Sequence, residues 1–156
     1  MNPLLSIRTL LRCALLSLFM LASAHAADQG SAAEAQAMVK RAVAYIKANG
    51  PDKAYDEFTN GKSFKDRDLY ISVYDLNGKN LAHGANPKLV GKDLMGLKDP
   101  DGKLIIKMIT DLAKEKGQGW TDSYKFMNPL TQKVQSKVIY VERLGETWVG
   151  VGIYKD

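Results

Sequence analysis

Cysteine and histidine are almost missing from this 156-residue chain. One cysteine, Cys13, and two histidines, His25 and His83, are all it has. Transition-metal and zinc sites rest on those two residue types, so a built metal centre has little to draw on. Asp99-Pro100-Asp101-Gly102 has a superficial likeness to a calcium loop. It lacks the third ligand before the glycine and the distal Glu spacing, and reads as a turn before a helix. A long apolar run is also missing. The uncharged stretch from Cys13 to about Ala24 is roughly a dozen residues, too short for a bilayer that needs about 20. Strong charge of one sign is absent too, so a clustered nucleic-acid footprint is not expected.

The first segment reads as an address. Arg8 and Arg12 form a positive start, the apolar stretch follows, and Ala24-His25-Ala26 supplies a small-x-small cleavage pattern. We expect a signal peptide over residues 1–26, cleaved after Ala26, and a periplasmic or secreted domain over 27–156 with no membrane insertion after cleavage. Cleavage removes Cys13 and His25, which leaves His83 as the one histidine and no disulfide. It also removes Arg8 and Arg12 from 22 basic residues, leaving 20 against 17 acidic. A domain of this size buries about two-thirds of its unfolded surface, enough for a core without staples.

Helical and strand signals alternate along that domain. Ser31-Ala-Ala-Glu34 is a capping box, and Ala35, Met38, Val39, Ala42 and Ile46 follow at helical spacing until Asn49-Gly50-Pro51. A short helix is expected from about Pro51 to Phe58. Asp66 and Asp68, flanked by Lys65 and Arg67, read as a solvated approach to a strand over Leu69–Asp75. Asn77-Gly78 turns the chain into a short strand, Asn80–His83. Residues 84–100 carry no clear period, and so long a loop is usually functional or mobile. Lys103–Lys116 is a third helix, followed by strands near Gly119–Lys125, Lys133–Glu142 and Thr147–Tyr154. The order α-α-β-β-α-β-β-β predicts an α+β fold, an antiparallel sheet of about five strands covered by helices.

No recognisable catalytic set emerges, so the chain is not expected to be an enzyme, and no cofactor is expected. Ser72, Ser123 and Ser136 lie in strands rather than on a nucleophile elbow, with one histidine to serve them. The pairs Gly117/Gly119 and Gly150/Gly152 do not extend into phosphate loops. Other residues are conspicuous. His83 ends a strand before the long loop. Trp120 and Tyr124 share a face if their strand is regular. Tyr70, Ser72 and Tyr74 put three polar tips on one face, unusual for a dry core. Lys137 sits in an apolar strand and faces solvent or serves a carboxylate. Gly150 and Gly152 leave space on the face of Trp148 and Tyr154, for a helix or a ligand.

Read as strings, these segments resemble the single Cache domain, a PAS-like extracytoplasmic sensory module. The matching stretches are Asp68-Leu-Tyr-Ile-Ser-Val-Tyr-Asp75 with Asn77-Gly78, Leu81-Ala-His-Gly84 and Asn86-Pro-Lys-Leu-Val-Gly-Lys-Asp93. Gly119-Trp120, Asn128-Pro129, Lys137, Tyr140-Val-Glu142 and Val149-Gly-Val-Gly-Ile-Tyr154 follow in the expected order. The resemblance implies a long N-terminal helix behind a central antiparallel sheet and a pocket for small acids such as acetate, propionate, lactate or pyruvate. It places Tyr70, His83, Trp120, Tyr124 and Lys137 as ligand-binding positions. Relatives often read Gly-Trp-Val-Asp-Tyr-Lys where this chain has one residue more, Gly119-Trp-Thr-Asp-Ser-Tyr-Lys125. A one-residue slip would exchange Tyr124 and Lys125. Ser136 stands where relatives often have proline.

The functional expectation is a free-standing extracytoplasmic ligand-binding domain. It captures a small carboxylate and acts with a membrane sensor or transporter partner in a chemotaxis-related role. The alternatives are a protein-interaction module with a degenerate pocket and an unfamiliar enzyme using His83. With His83 against the ligand, binding would vary between about pH 5.5 and 7.5.

Overall fold

The protein is described by a computed structural model over residues 29–155. The expected leader and its cleavage site lie outside the described residues. Helix α1 (Ala32–Asn49) starts at the capping box. Ser31 Oγ accepts from the Glu34 amide at 3.3 Å, and Glu34 accepts from the Ser31 amide at 2.7 Å. Its apolar stripe, Ala35, Met38, Val39, Ala42, Val43 and Ile46, is buried. Gly50, with φ of 82°, turns the chain directly into α2 (Pro51–Asn60), where proline occupies a first-turn position that has no amide to satisfy. The third helix, α3, spans Ile105–Lys116. It begins two residues later than expected because Leu104 bridges back to Lys98.

Seven strands form one antiparallel sheet: β1 (Lys65–Asp66), β2 (Leu69–Asp75), β3 (Asn80–His83), β4 (Gln118–Trp120), β5 (Tyr124–Met127), β6 (Val134–Leu144) and β7 (Thr147–Lys155). They fill five columns. β1 and β3 share the outer edge of β2, then come β7 and β6, and β4 and β5 share the outer edge of β6. Five columns match the expected sheet. The additional strands are the two-residue β1 and the division of one expected strand into β4 and β5.

That division carries a register change. Trp120 pairs with Tyr140, whereas Tyr124 pairs with Lys137. Four steps along the β4–β5 edge therefore oppose three steps along β6. One additional residue is absorbed as an irregularity at 121–123, and side chains beyond it switch faces. This is the segment where the resemblance implied one residue more.

The two faces bury different cores. α1 and α2 cover one, with Leu69, Ile71, Val73, Tyr140, Val149 and Val151 beneath them. α3 covers the other, over Tyr74, Tyr124, Ile139, Val141 and Trp148. The loop over 84–100 is tied down rather than free. It contains a 3-10 turn at Pro87–Leu89, and the Asn80 amide donates to Lys92 O at 2.9 Å. The Gly91 and Leu94 amides bond back to Asn80 O and Gly78 O at 2.8 and 2.9 Å.

Asp68 departs from the sequence reading. It is fully buried, not solvated, and accepts from the Gly30 amide at 2.6 Å, which ties the start of α1 to β2. Asp66 stays exposed and pairs with Arg67 at 2.9 Å. Asp99 forms the expected turn. Its carboxylate accepts from the amides of Asp101, Lys103 and Lys125, joining the start of α3 to β5. Those three donors hold its carboxyl below the usual range, the Lys125 amide contributing most. Among the described residues no helix is long and apolar enough to cross a membrane.

Candidate functional site

The α3 side of the sheet holds a small cavity with polar side-chain tips set in an apolar lining. Alternation along β2 aims Tyr70, Ser72 and Tyr74 into it. β6 contributes Lys137 and Ile139, β3 ends in it at His83, and β5 adds Tyr124 and Phe126. Ile105, Ile106 and Ile109 of α3 close the top. Three polar tips on one face of β2 thus have a reason. They line a cavity whose free volume is about 20 Å³, room for about one water.

Lys137 is the centre of this arrangement. Its side chain is 3% exposed. Nζ donates to the hydroxyls of Tyr70 at 2.7 Å and Tyr154 at 3.1 Å. It also lies 4.4, 4.5 and 5.1 Å from the ring centres of Tyr70, Tyr154 and Phe126. Among the described residues no carboxylate pairs with it. An ammonium has three donors and two are spent on neutral oxygens. The space that the sequence reading assigned to a helix or ligand above Gly152 is occupied by Lys137 itself. A β-carbon at Gly152 would collide with Lys137 Cε. Glycine there lets the lysine stem lie across the sheet.

Tyrosines surround this cation. Burial pushes the Tyr70 hydroxyl up to about 12, against the opposing pull of Lys137, and pushes Tyr154 up to about 12. Burial also raises Tyr74 and Tyr124. All four are neutral donors at physiological pH. Tyr154 is committed, donating to Met127 O at 2.7 Å. The Tyr124 hydroxyl has no hydrogen-bond partner among the described residues. Tyr74 stacks on Trp148 at 4.6 Å, and the Trp148 indole donates to Thr110 Oγ1 at 3.0 Å, which fixes the floor under α3.

His83 is 4% exposed and tilts against Tyr70 at 5.1 Å. Its Nδ1 accepts from the Asn86 amide at 3.0 Å, so Nε2 carries the proton. Burial, reinforced by the Lys137 charge, pushes the imidazole down to about 3. The expected titration between about pH 5.5 and 7.5 therefore does not hold for the unliganded protein. His83 is a neutral N–H donor, held in one tautomer by the loop that follows it.

Of the five sequence candidates, the structure brings Tyr70, His83, Tyr124 and Lys137 together. Trp120 is elsewhere. It sits on the α1 face against Tyr140, ring centres 5.6 Å apart, half-buried beside the other core. The expected shared face of Trp120 and Tyr124 fails because the additional residue between them flips the strand. Between the two options for position 124, Tyr124 points inward. Lys125 instead donates to Ser136 Oγ at 2.8 Å. Tyr154 and Phe126 were missed as site residues. The signal for Tyr154 was its shared face with Gly150 and Gly152, and for Phe126 its position two residues beyond Tyr124.

The chemistry this arrangement offers is recognition of an anion. It presents one buried cation, an imidazole N–H and phenolic O–H groups, with aromatic and isoleucine walls excluding water.

Comparison with known proteins agrees with that reading of the fold. The family model for single Cache domain 2 matches residues 6–156. The methyl-accepting chemotaxis protein McpP of Pseudomonas putida is 33% identical over 94 residues, which is 58% of this chain and 17% of McpP. The match thus spans about a sixth of that relative's length. A crystal structure of a methyl-accepting chemotaxis protein from Vibrio parahaemolyticus superposes with a TM-score of 0.67 at 29% identity. It covers 80% of this chain and 88% of that one. A Cache chemosensory domain solved for carboxylic acid recognition has a TM-score of 0.66 at 23% identity, covering 97% and 99%, and shows the shared fold. With its matching family model and its five-column sheet between a long helix and a small cavity, this chain belongs to the single Cache domain 2 family of extracytoplasmic sensory domains.

Proposed function

We propose that this protein binds a short organic acid outside the cytoplasm and reports its presence to a membrane sensor or transporter. One observation carries the reading. Lys137 is a buried ammonium surrounded by neutral donors, with no carboxylate of its own among the described residues. Burying a charge unpaired costs several kcal/mol, and an incoming carboxylate offsets that cost. The N–H of His83 and the O–H of Tyr124 and Tyr70 supply the hydrogen bonds that a desolvated carboxylate requires. Tyr70, His83, Tyr124 and Lys137 are the proposed ligand-binding residues. Trp120 supports α1 packing instead. Residues 1–26 serve as the cleaved leader and residues 27–156 as the binding domain, which the mass of the secreted protein tests directly.

Signalling follows from population shift. The free cavity has room for about one water, so a ligand must displace side chains or the loop that follows His83 to enter. A loop state that binds the acid more tightly is then favoured by that difference in affinity. Support for a membrane partner comes from McpP, a methyl-accepting chemotaxis protein.

Among the described residues, three of the four exposed large apolar side chains, Met127, Leu130 and Val134, sit around one hairpin. They favour a second reading, a protein-interaction module whose cavity no longer binds. A thermal-shift panel of organic acids, amino acids and amines at pH 6 and 7.5 separates the two. A ligand at about 100 times its Kd stabilises the native state by about 2.7 kcal/mol. A shift from acids alone supports the acid sensor. No shift across the panel, with the fold intact, selects the interaction module.

A further inference from the structure

The large apolar side chains that this protein leaves in water are not scattered. Among the described residues they are Val90, Met127, Leu130 and Val134, each between 41% and 53% exposed. All four lie on two neighbouring features. Val90 ends the 3-10 turn at Pro87–Leu89, and the others belong to the β5–β6 hairpin. Asn86 and Leu89 from the turn and Pro129 and Gln132 from the hairpin line one chamber, so the two features stand side by side.

The hairpin is a prepared knob. Met127 and Val134 are opposite each other across its strands, and Leu130 stands on its tip. Asn128, 1% exposed, builds that tip. Its Oδ1 accepts from the Leu130 amide at 2.9 Å, its carbonyl accepts from the Gln132 amide at 2.9 Å, and its Nδ2 donates to Gln135 at 2.7 Å. Gln132 takes a left-handed φ of 57°, which a non-glycine residue adopts at a local cost. A tip fixed in this way has little conformational freedom left to lose on contact.

The same turn also walls a cleft. It lies against α2, has a volume of about 350 Å³, and takes apolar surface from Tyr55, Leu81, Pro87 and Val90. Asp56 lines it too. That carboxylate is exposed, accepts from Asn60 Nδ2 at 2.7 Å, and has no ion pair among the described residues. The hairpin carries the opposite sign. Residues 123–141 contain no Asp or Glu, and Lys133 on the tip is exposed and without an ion pair among the described residues. Lys88 on the turn and Asp52, one helical turn before Asp56, add exposed charges of both signs.

We propose that these surfaces join two copies of this chain in an isologous dimer, the Leu130 hairpin of each entering the Asp56–Val90 cleft of the other and Lys133 meeting Asp56. The pairing goes beyond the acid-binding reading and does not depend on it. Knob and cleft flank one turn, so a two-fold axis beside that turn serves both contacts at once. The arrangement covers all four exposed apolar side chains and sets opposite charges together twice. Hairpin against hairpin would instead oppose Lys133 with Lys133. Four half-exposed side chains make a small apolar centre, so a reversible dimer is expected, with a dissociation constant on the order of 10–100 µM.

Sedimentation velocity of the purified protein from about 5 to about 500 µM spans that constant and is expected to show the mass doubling. Asp56→Lys and Lys133→Glu, tested singly, should each weaken the dimer about tenfold, because symmetry doubles an exposed pair that reversal makes repulsive. An equimolar mixture of the two variants should return to within about threefold of the wild type, since each then meets its complement at both contacts. Leu130→Asp should weaken the dimer by at least about tenfold through lost apolar burial. These positions are exposed, and an unchanged melting temperature shows that each variant is folded. A protein that stays monomeric up to about 500 µM overturns the proposal. A dimer that Leu130→Asp and both reversals leave unchanged also overturns it, because the contact is then on another face. Reversals that weaken the dimer singly and fail to rescue each other in the mixture overturn the pairing of Lys133 with Asp56.

Discussion

Replacing Lys137 by methionine separates stability from binding. The lysine is 3% exposed and its ammonium faces two hydroxyls and three rings, with no carboxylate among the described residues. Methionine has nearly the same length, fills the trough above Gly152 and carries no charge. The hydroxyls are not stranded by the change. Tyr154 still donates to Met127 O at 2.7 Å, and Tyr70 lies 3.5 Å from Tyr154. Exchanging buried charge for well-packed apolar volume is commonly neutral or stabilising, by roughly 1–3 kcal/mol. For a domain of this size that corresponds to roughly 3–5 °C in Tm per kcal/mol. Lys137→Met should therefore melt at or above the wild-type temperature and no longer respond to organic acids. Removal of the charge also removes the second cause of His83's depression, so the imidazole pKa should rise, as followed by NMR of its ring protons. Urea denaturation provides the stability. A loss of more than about 3 kcal/mol would refute the reasoning, because it would mean that Lys137 belongs to a compensated pair.

Three further outcomes are expected. His83 is held neutral down to about 3 when folded and takes a proton near 6.5 when unfolded, so the unfolded state binds more protons as pH falls. Stability should be complete above about pH 6.5 and decline below it by up to about 1.4 kcal/mol per pH unit. His83→Gln should flatten that slope between pH 6.5 and 4.5 in urea titrations, whereas an unchanged slope would assign it to other groups. Gly152→Ala forces its β-carbon against the Lys137 stem, at a cost of about 1–3 kcal/mol and with lost acid binding. The double variant Gly152→Ala/Lys137→Ala should recover stability but not binding, a non-additivity that a double-mutant cycle reads. Thr110→Val leaves the fully buried Trp148 N–H without its acceptor and should cost about 1–3 kcal/mol, measured by denaturation.

Elements with local signals were legible in the sequence. The capping box at Ser31 and Glu34, the Gly50-Pro51 junction and the stripe of α1 depend on neighbours a few residues apart, and each appears where the pattern places it. The five columns follow from turn chemistry in the same way. Non-local facts were not legible. Asp68 is buried because an amide 38 residues away needs an acceptor. The fate of Lys137 was decided by Gly152 on the neighbouring strand, where the missing side chain makes the trough. Trp120 faces away from the site because its four steps to Tyr124 count as three against β6, and an even spacing in sequence does not show that one of residues 121–123 drops out of register.

The most direct measurement compares propanoate with propanamide, its uncharged analogue of nearly identical shape, by calorimetric titration at pH 7.5 against the wild type and Lys137→Met. Propanoate should bind the wild type, propanamide should not, and neither should bind the variant. Equal affinity for acid and amide, or propanoate affinity unchanged by Lys137→Met, would contradict a carboxylate site built on the buried lysine.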